Sequence, residues 1–342
     1  MKVVTLGEIM LRLSTEGNLR FVQSNKLDAT YGGGEANVCV SLANYGHQTY
    51  FVTKLPKHEI GQSAVNSLRQ FGVNTDYICR GGDRVGIYFL ETGVSMRASQ
   101  VIYDRADSAI ATAKVSDFDF DAIMKGKDWF HWTGITPAIS KNGTELVYAA
   151  CEVAKKHKVK ISCDLNFRKK LWTSEQAIAT LTPLMKYVDV CIGNEEDADK
   201  CLGFKAGKTD VKGGHLEVEA FKSVCKKLVD KFGFEYVSSS MRESHSATHN
   251  TWSGVIFSKD KDEFYQTDKY EINPIVDRVG GGDSFASALI HGLSAYKDFK
   301  QSIDFAVAAS ALKHTIFGDF NQASLKEVET LMSGDKSGRV QR

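Results

Sequence analysis

The sequence predicts an α/β fold: a doubly wound, mostly parallel sheet covered by helices, with a small β lid beside it. Three observations carry that expectation. From about Lys127 onward, strand-like and helix-like stretches alternate, the pattern of a parallel sheet buried on both faces. Two period-two runs, Val85–Glu91 and Ser99–Arg105, stand outside that alternation and read as antiparallel strands of an accessory sheet. Two triple-glycine stretches, Gly32–Gly34 and Gly280–Gly282, each run straight into an amphipathic helix.

Composition sets the class. The chain has 342 residues, 42% hydrophobic and 25% charged, as an ordinary globular protein does. A formal net charge of +1 gives no electrostatic case for nucleic acid or an anionic membrane as partner. No run of about eighteen apolar residues is present to span a bilayer. The seven cysteines are scattered and form no C-x-x-C pair, which points to buried thiols and a reducing, cytoplasmic setting. One domain is expected over residues 1–330, with lid strands from about 10–30 and 85–105 and a polar tail over 331–342.

Taken in order, Val3-Val4-Thr5-Leu6 reads as a buried strand, and alternation around Met10–Ser14 as a further one. Tyr31–Val38 is a glycine turn opening a helix with Val38, Leu42 and Ala43 on one face. Trp129–Gly134, Val159–Asp164 and Val188–Gly193 are strands, and 142–156 and 174–186 are the helices between them. Ligands of such sheets bind beyond the carboxyl ends of the strands, so the polar residues just after each strand are the candidates. Those are Asp164-Leu165-Asn166-Phe167-Arg168 and Asn194-Glu195-Glu196-Asp197. Glu235–Ser240 is another strand, followed by a glycine-free stretch over 241–250 expected to be a loop. Trp252–Phe257 and Phe264–Thr267 then pair antiparallel.

The stretch Asp277-Arg278-Val279-Gly280-Gly281-Gly282-Asp283 is the chemical centre. Unpaired N–H groups and the positive end of a helix dipole meet where glycines feed a helix. An oxyanion on a transferring phosphoryl group is stabilised at such a place, and Asp283 is placed to take a proton from an attacking hydroxyl. An aspartate there also serves simply as a helix cap. There is no G-x-x-x-x-G-K-[ST] and no G-x-G-x-x-G after the first strand, which excludes a P-loop kinase and argues against a nicotinamide dehydrogenase.

These residues also carry a family resemblance. Asp277 to Phe285 resembles the C-terminal signature of the ribokinase-like (PfkB) carbohydrate kinases, with Arg278 and Gly281 where Thr and Ala are usual. Gly33, Gly34 and Asn37 match the N-terminal signature, whose glycine amides and Asn contact sugar hydroxyls. The resemblance implies ATP-dependent phosphorylation of a sugar, with Asp283 as base and Gly280, Gly281 and Gly282 as anion hole. It further implies Mg²⁺ on the phosphates near Asn194, Glu196 and Asp197, and a monovalent cation near Asp277. The run Tyr103-Asp104-Arg105-Ala106-Asp107-Ser108-Ala109 is similar to that of 2-keto-3-deoxygluconate kinases. Tyr88, Tyr103, Arg105 and Arg168 then hold a sugar acid, because a guanidinium pairs bidentately with a carboxylate. A fructokinase or other neutral-sugar kinase, and a sugar-binding regulator without catalysis, are the alternatives. The family's glycine-rich hairpin is missing, so Ser239, Met241 and Arg242 are the expected nucleotide contacts, with Asn321 bordering the adenine. Self-association through the lid is a further expectation.

Overall fold

Runs such as Val3-Val4-Thr5-Leu6 and Trp129-Phe130-His131-Trp132 are buried along their whole length, as strands covered on both faces must be. In the computed structural model residues 1–194, 196–205 and 218–339 are described; Glu195 of the acidic run and residues 340–342 of the tail lie outside them. The first half of the chain supplies β1 (Lys2–Leu6), β2 (Met10–Ser14), β3 (Asp28–Gly32), β4 (Gln48–Leu55), β5 (Ile78–Arg80), β6 (Ile87–Glu91) and β7 (Gln100–Asp104). The second supplies β8 (Trp129–Thr133), β9 (Lys160–Asp164), β10 (Val190–Asn194), β11 (Tyr236–Ser246), β12 (His249–Ser258), β13 (Glu263–Gln266) and β14 (Tyr270–Ile272).

Among the described residues the larger sheet has ten strands in the order β13-β12-β11-β10-β9-β8-β1-β4-β5, with β14 also on β12. From β11 to β5 every pair is parallel; β12 and its neighbours run antiparallel at one edge. The helices are α1 (Gly34–Asn44), α2 (Glu59–Arg69), α3 (Phe120–Met124), α4 (Ile135–Ile139), α5 (Lys141–Lys156) and α6 (Ser174–Leu184). They continue with α7 (Asp197–Leu202), α8 (Val218–Phe232), α9 (Gly281–Ala295), α10 (Phe299–Lys313) and α11 (Leu325–Met332).

Strand alternation divides the interior into layers. Leu6, Phe130, Trp132 and Cys191 pack with Leu146 of α5, Leu181 of α6 and Leu228 of α8 on one face. Val3, Trp129, Val190 and Ile192 pack with Leu42 of α1, Leu289 of α9 and Ile303 of α10 on the other. The fold is therefore α/β with a mixed, mostly parallel central sheet. A second sheet, ordered β3-β2-β6-β7, is built from the two segments where the sequence shows strand alternation outside the main repeat. Its β6 and β7 pair antiparallel, with Phe89 opposite Ile102.

One expectation is corrected. The stretch over 241–250 is not a loop: β11 runs on to Ser246 and turns through Ala247-Thr248 into β12. Cross-strand partners such as Met241 with Ser253 and Arg242 with Trp252 hold it extended. The turn has neither of the glycine or asparagine signals that mark a two-residue hairpin, so pairing to β12, not local preference, forms it.

Candidate active site

The carboxyl ends of β9 and β10, the amino ends of α1 and α9, and the small sheet enclose a cleft of about 330 Å³. From β9 and the loop after it come Asp164, Asn166 and Arg168, and from β10 come Gly193 and Asn194. The small sheet contributes Met10, Tyr88, Val101 and Tyr103, with Arg105 just beyond β7. Ser240, Arg242, Trp252 and Arg278 line the remaining side.

Two glycine-led helix starts converge on one carboxylate. At the entry to α1 a side chain on Gly33 would stand 2.0 Å from the Glu8 carbonyl, so only glycine fits that approach. At the entry to α9, Gly280 has φ 83, a left-handed conformation that glycine adopts without strain. The Gly282 and Asp283 N–H groups, at the positive end of that helix, make no hydrogen bond to the described residues. The Gly281 N–H makes only a long one, 3.4 Å, to the Arg278 carbonyl.

Asp283 is half-buried at the foot of the cleft. Its Oδ2 accepts from Nδ2 of Asn37 at 2.6 Å, while Oδ1 of Asn37 accepts from the Gly33 N–H at 3.2 Å. One side chain thus aligns the carboxylate with the first glycine turn. Burial pushes the Asp283 carboxyl up to about 6, opposed by the Asn37 hydrogen bond and by the charge of Arg168. Near neutral pH it is an ionised acceptor with a proton affinity suited to a hydroxyl that is losing its proton. Asp164 is pushed well above the ordinary carboxylate range by burial and by the neighbouring Asp197 and Asp283 charges. Two nearby acids thus both hold a proton more tightly than an ordinary carboxylate.

The four arginines differ in how their charge is held. Arg105 is clamped to Glu8, whose other oxygen accepts from the Ser108 hydroxyl at 2.6 Å. Arg278 donates to the Ala247 carbonyl at 2.7 Å and so ties the hairpin tip to the α9 turn. Arg168 and Arg242 face the cleft with no ion-pair partner among the described residues. A cleft with a poised carboxylate, free helix amides and uncompensated guanidinium groups is chemically suited to move a phosphoryl group between two anionic ligands.

The model of the pfkB family carbohydrate kinases matches residues 1–322. The chain belongs to this family. A solved 2-dehydro-3-deoxygluconokinase from Thermotoga maritima is 49% identical, with TM-score 0.93 over 98% of each chain. A PfkB family carbohydrate kinase from Listeria grayi is 35% identical, with TM-score 0.90 over 97% of this chain and 100% of its own. A 2-dehydro-3-deoxygalactonokinase from Haloferax volcanii is 29% identical over 98% of both chains.

Within this PfkB kinase, Gly33, Gly34, Asn37, Tyr88, Tyr103, Arg105, Arg168, Asn194, Arg242, Gly280, Gly281, Gly282 and Asp283 all line the cleft. Of the other expected site residues, Asp197 also lines the cleft, whereas Ser239, Met241, Asn321, Glu196 and Asp277 do not. Ser239 and Met241 point the other way, because alternation along β11 places Ser240 and Arg242 at the cleft and Met241 in the core with Val237. Asn321 is buried behind α9, its amide donating to Tyr45 at 3.1 Å and Ser284 at 2.7 Å, so it borders no open space. Asp197, in the cleft lining, accepts the Asn194 and Phe167 N–H groups at 2.9 and 3.1 Å, one on each oxygen. Glu196 is exposed beyond Asn194 and is absent from the lining. Asp277 is paired with the Arg12 guanidinium at 2.6 Å and is not part of the cleft lining. Sequence patterns missed Ser240, Arg278 and Glu8. Period-two counting from Ser238 finds the first, but Glu8 announces itself only through its partner, about a hundred residues away.

Proposed function

We propose that this kinase transfers the γ-phosphoryl group of ATP to the 6-hydroxyl of 2-keto-3-deoxygluconate. The observation that carries this reading is the shared position of Asp283 and Arg168 in one cleft, a base and an uncompensated cation for an acidic sugar. The likeness to the Thermotoga maritima 2-dehydro-3-deoxygluconokinase supports the same substrate. Arg168, with Tyr103 and Arg105, pairs with the sugar carboxylate, while Asn37 and the Gly33–Gly34 turn hold hydroxyls. Asp283 takes the proton of the 6-hydroxyl as its oxygen attacks the γ-phosphorus; the bond to the leaving ADP oxygen breaks, and the proton passes later to water. The free N–H groups of Gly282 and Asp283 receive the negative oxygens as charge shifts.

Arg242, Ser240 and Asn194 face the phosphates of ATP from the hairpin side. Mg²⁺ would ride on those phosphates and neutralise their charge, with Glu196, whose N–H donates to the Asn194 side chain at 2.8 Å, the exposed carboxylate that would meet it through water. The small sheet serves as the lid. Leu13, Phe89 and Ile102 form a cross-strand apolar row on it, through which two copies associate. Sedimentation of wild type and Phe89→Asp tests that pairing: an unchanged oligomeric state overturns it.

A coupled ADP-release assay over sugar acids and neutral ketoses tests the substrate. A charged hydrogen bond contributes about 1.5–3 kcal/mol, so kcat/KM for the keto acid should exceed that for fructose by about 10- to 150-fold. Equal values would favour a neutral-sugar kinase. The Haloferax volcanii relative makes the galactonate epimer the second reading, and the panel therefore includes it.

A further inference from the structure

Lys313, the last residue of α10, has no exposed surface. Its Nζ donates to the main-chain carbonyls of Ile316 at 3.0 Å and Asp277 at 3.5 Å, and it pairs with no carboxylate among the described residues. Burial disfavours its charged form, while the charges of Asp277 and Asp319 favour it. Close by, Arg12 is also fully buried; its Nη2 meets Asp277 at 2.6 Å and its Nη1 meets Asp319 at 2.9 Å. The Tyr88 hydroxyl donates to Asp319 at 2.7 Å. Arg12 thus bridges two buried carboxylates, and Lys313 holds main-chain carbonyls beside them.

That network lies directly under the α9 turn. A side chain on Gly280 would stand 3.3 Å from Cε of Lys313 and 2.1 Å from the Asp319 carbonyl. Asp277 in turn accepts the Val279 N–H at 3.0 Å and the Gly318 N–H at 3.1 Å. Its carbonyl is held by Lys313 and its carboxylate by Arg12. The main chain entering the free amides of Gly282 and Asp283 is therefore set by these two side chains. The positive charge of Lys313 also acts on Asp283 itself.

We infer that Lys313 and Arg12 are positioning residues for phosphoryl transfer, an internal cation pair that holds the Gly280–Asp283 turn in its receiving geometry without a bound monovalent ion. This rests on the phosphoryl-transfer reading above and gives that turn its support. Arg12 belongs to β2 and Tyr88 to β6, so the same network also seats the small sheet against the turn.

The test has two arms. In wild type, replacing potassium and sodium by tetramethylammonium should leave kcat unchanged; a loss of activity restored by potassium overturns the inference. In Lys313→Met, which keeps the volume and removes the charge, kcat should fall about 10- to 100-fold while KM for the sugar acid moves less than about threefold. Methylammonium should restore part of the rate in Lys313→Ala. Wild-type kcat in Lys313→Met, or an equal rise in KM, overturns it. If the variants fail to fold, the wild-type ion exchange decides alone. A wild type silent on every sugar overturns the functional reading and this inference with it, whereas an active wild type that needs potassium overturns the inference only.

Discussion

At the scale of single residues, the site depends on the environment of one carboxylate. Asp283 lies at about 6 against an ordinary 3.8, because burial disfavours its charge. Its folded value is above the unfolded one, so the native state binds the proton more tightly, and Asp283 costs stability as pH rises through that interval. Asp283→Asn should therefore abolish turnover yet raise stability by about 1–2 kcal/mol at pH 8, with the gain shrinking towards pH 4. Thermal unfolding at both pH values checks this; a destabilised variant at pH 8 contradicts it. The donor from Asn37 favours the charged form, so Asn37→Ala should move the acidic limb of the kcat profile to higher pH. A limb that stays put would mean that the hydrogen bond is lost during turnover. The arginines should separate as well. Arg105 is compensated by Glu8 and Arg168 is not, so Arg168→Ala should raise KM for the sugar acid more than Arg105→Ala does.

At the scale of elements, the hairpin of β11 and β12 distinguishes core from site by parity alone. Met241 and Arg242 are adjacent, yet one packs with Val237 and the other faces the cleft. Met241→Ala should cost about 2–4 kcal/mol of stability with KM for ATP nearly unchanged. Arg242→Ala should do the reverse, raising KM for ATP by about tenfold or more with stability within about 0.5 kcal/mol of wild type. Chemical denaturation and ATP titrations on the pair read both effects, and a swapped pattern would place the strand one residue out of register. The element that bears the anion hole, α9, owes its abrupt start to Gly280 and its anchoring to Phe285 and Leu289 in the core.

At the scale of the whole molecule, the cleft is lined from both sheets, and side chains tie the two together. Beyond the buried Arg12 network, Lys170 reaches from the loop after β9 to the Val101 carbonyl on β7 at 2.9 Å. Its ammonium also lies 5.7 Å from the centre of the Tyr103 ring. Substrate touching Arg168, Tyr103 and Asp283 together bridges both sheets. Amide hydrogen exchange over β6 and β7 should therefore slow on adding the sugar acid, more than exchange in β8 or β9. Equal protection everywhere would argue that the small sheet does not close over the ligand.

Much of this was legible in the chain itself. Strand–helix alternation specifies a parallel sheet, the two triple-glycine turns specify helix starts bare of side chains, and Asp283 follows from the second turn, because these are local properties of backbone and period. Tertiary structure alone decided which charges are free. Asp277 pairs with Arg12, and Asp197 accepts the Phe167 N–H as well as that of nearby Asn194; Arg12 and Phe167 are partners brought from distant segments. A side chain's partner, burial and proton affinity arise from what the fold places within a few ångströms, and sequence order does not carry that distance.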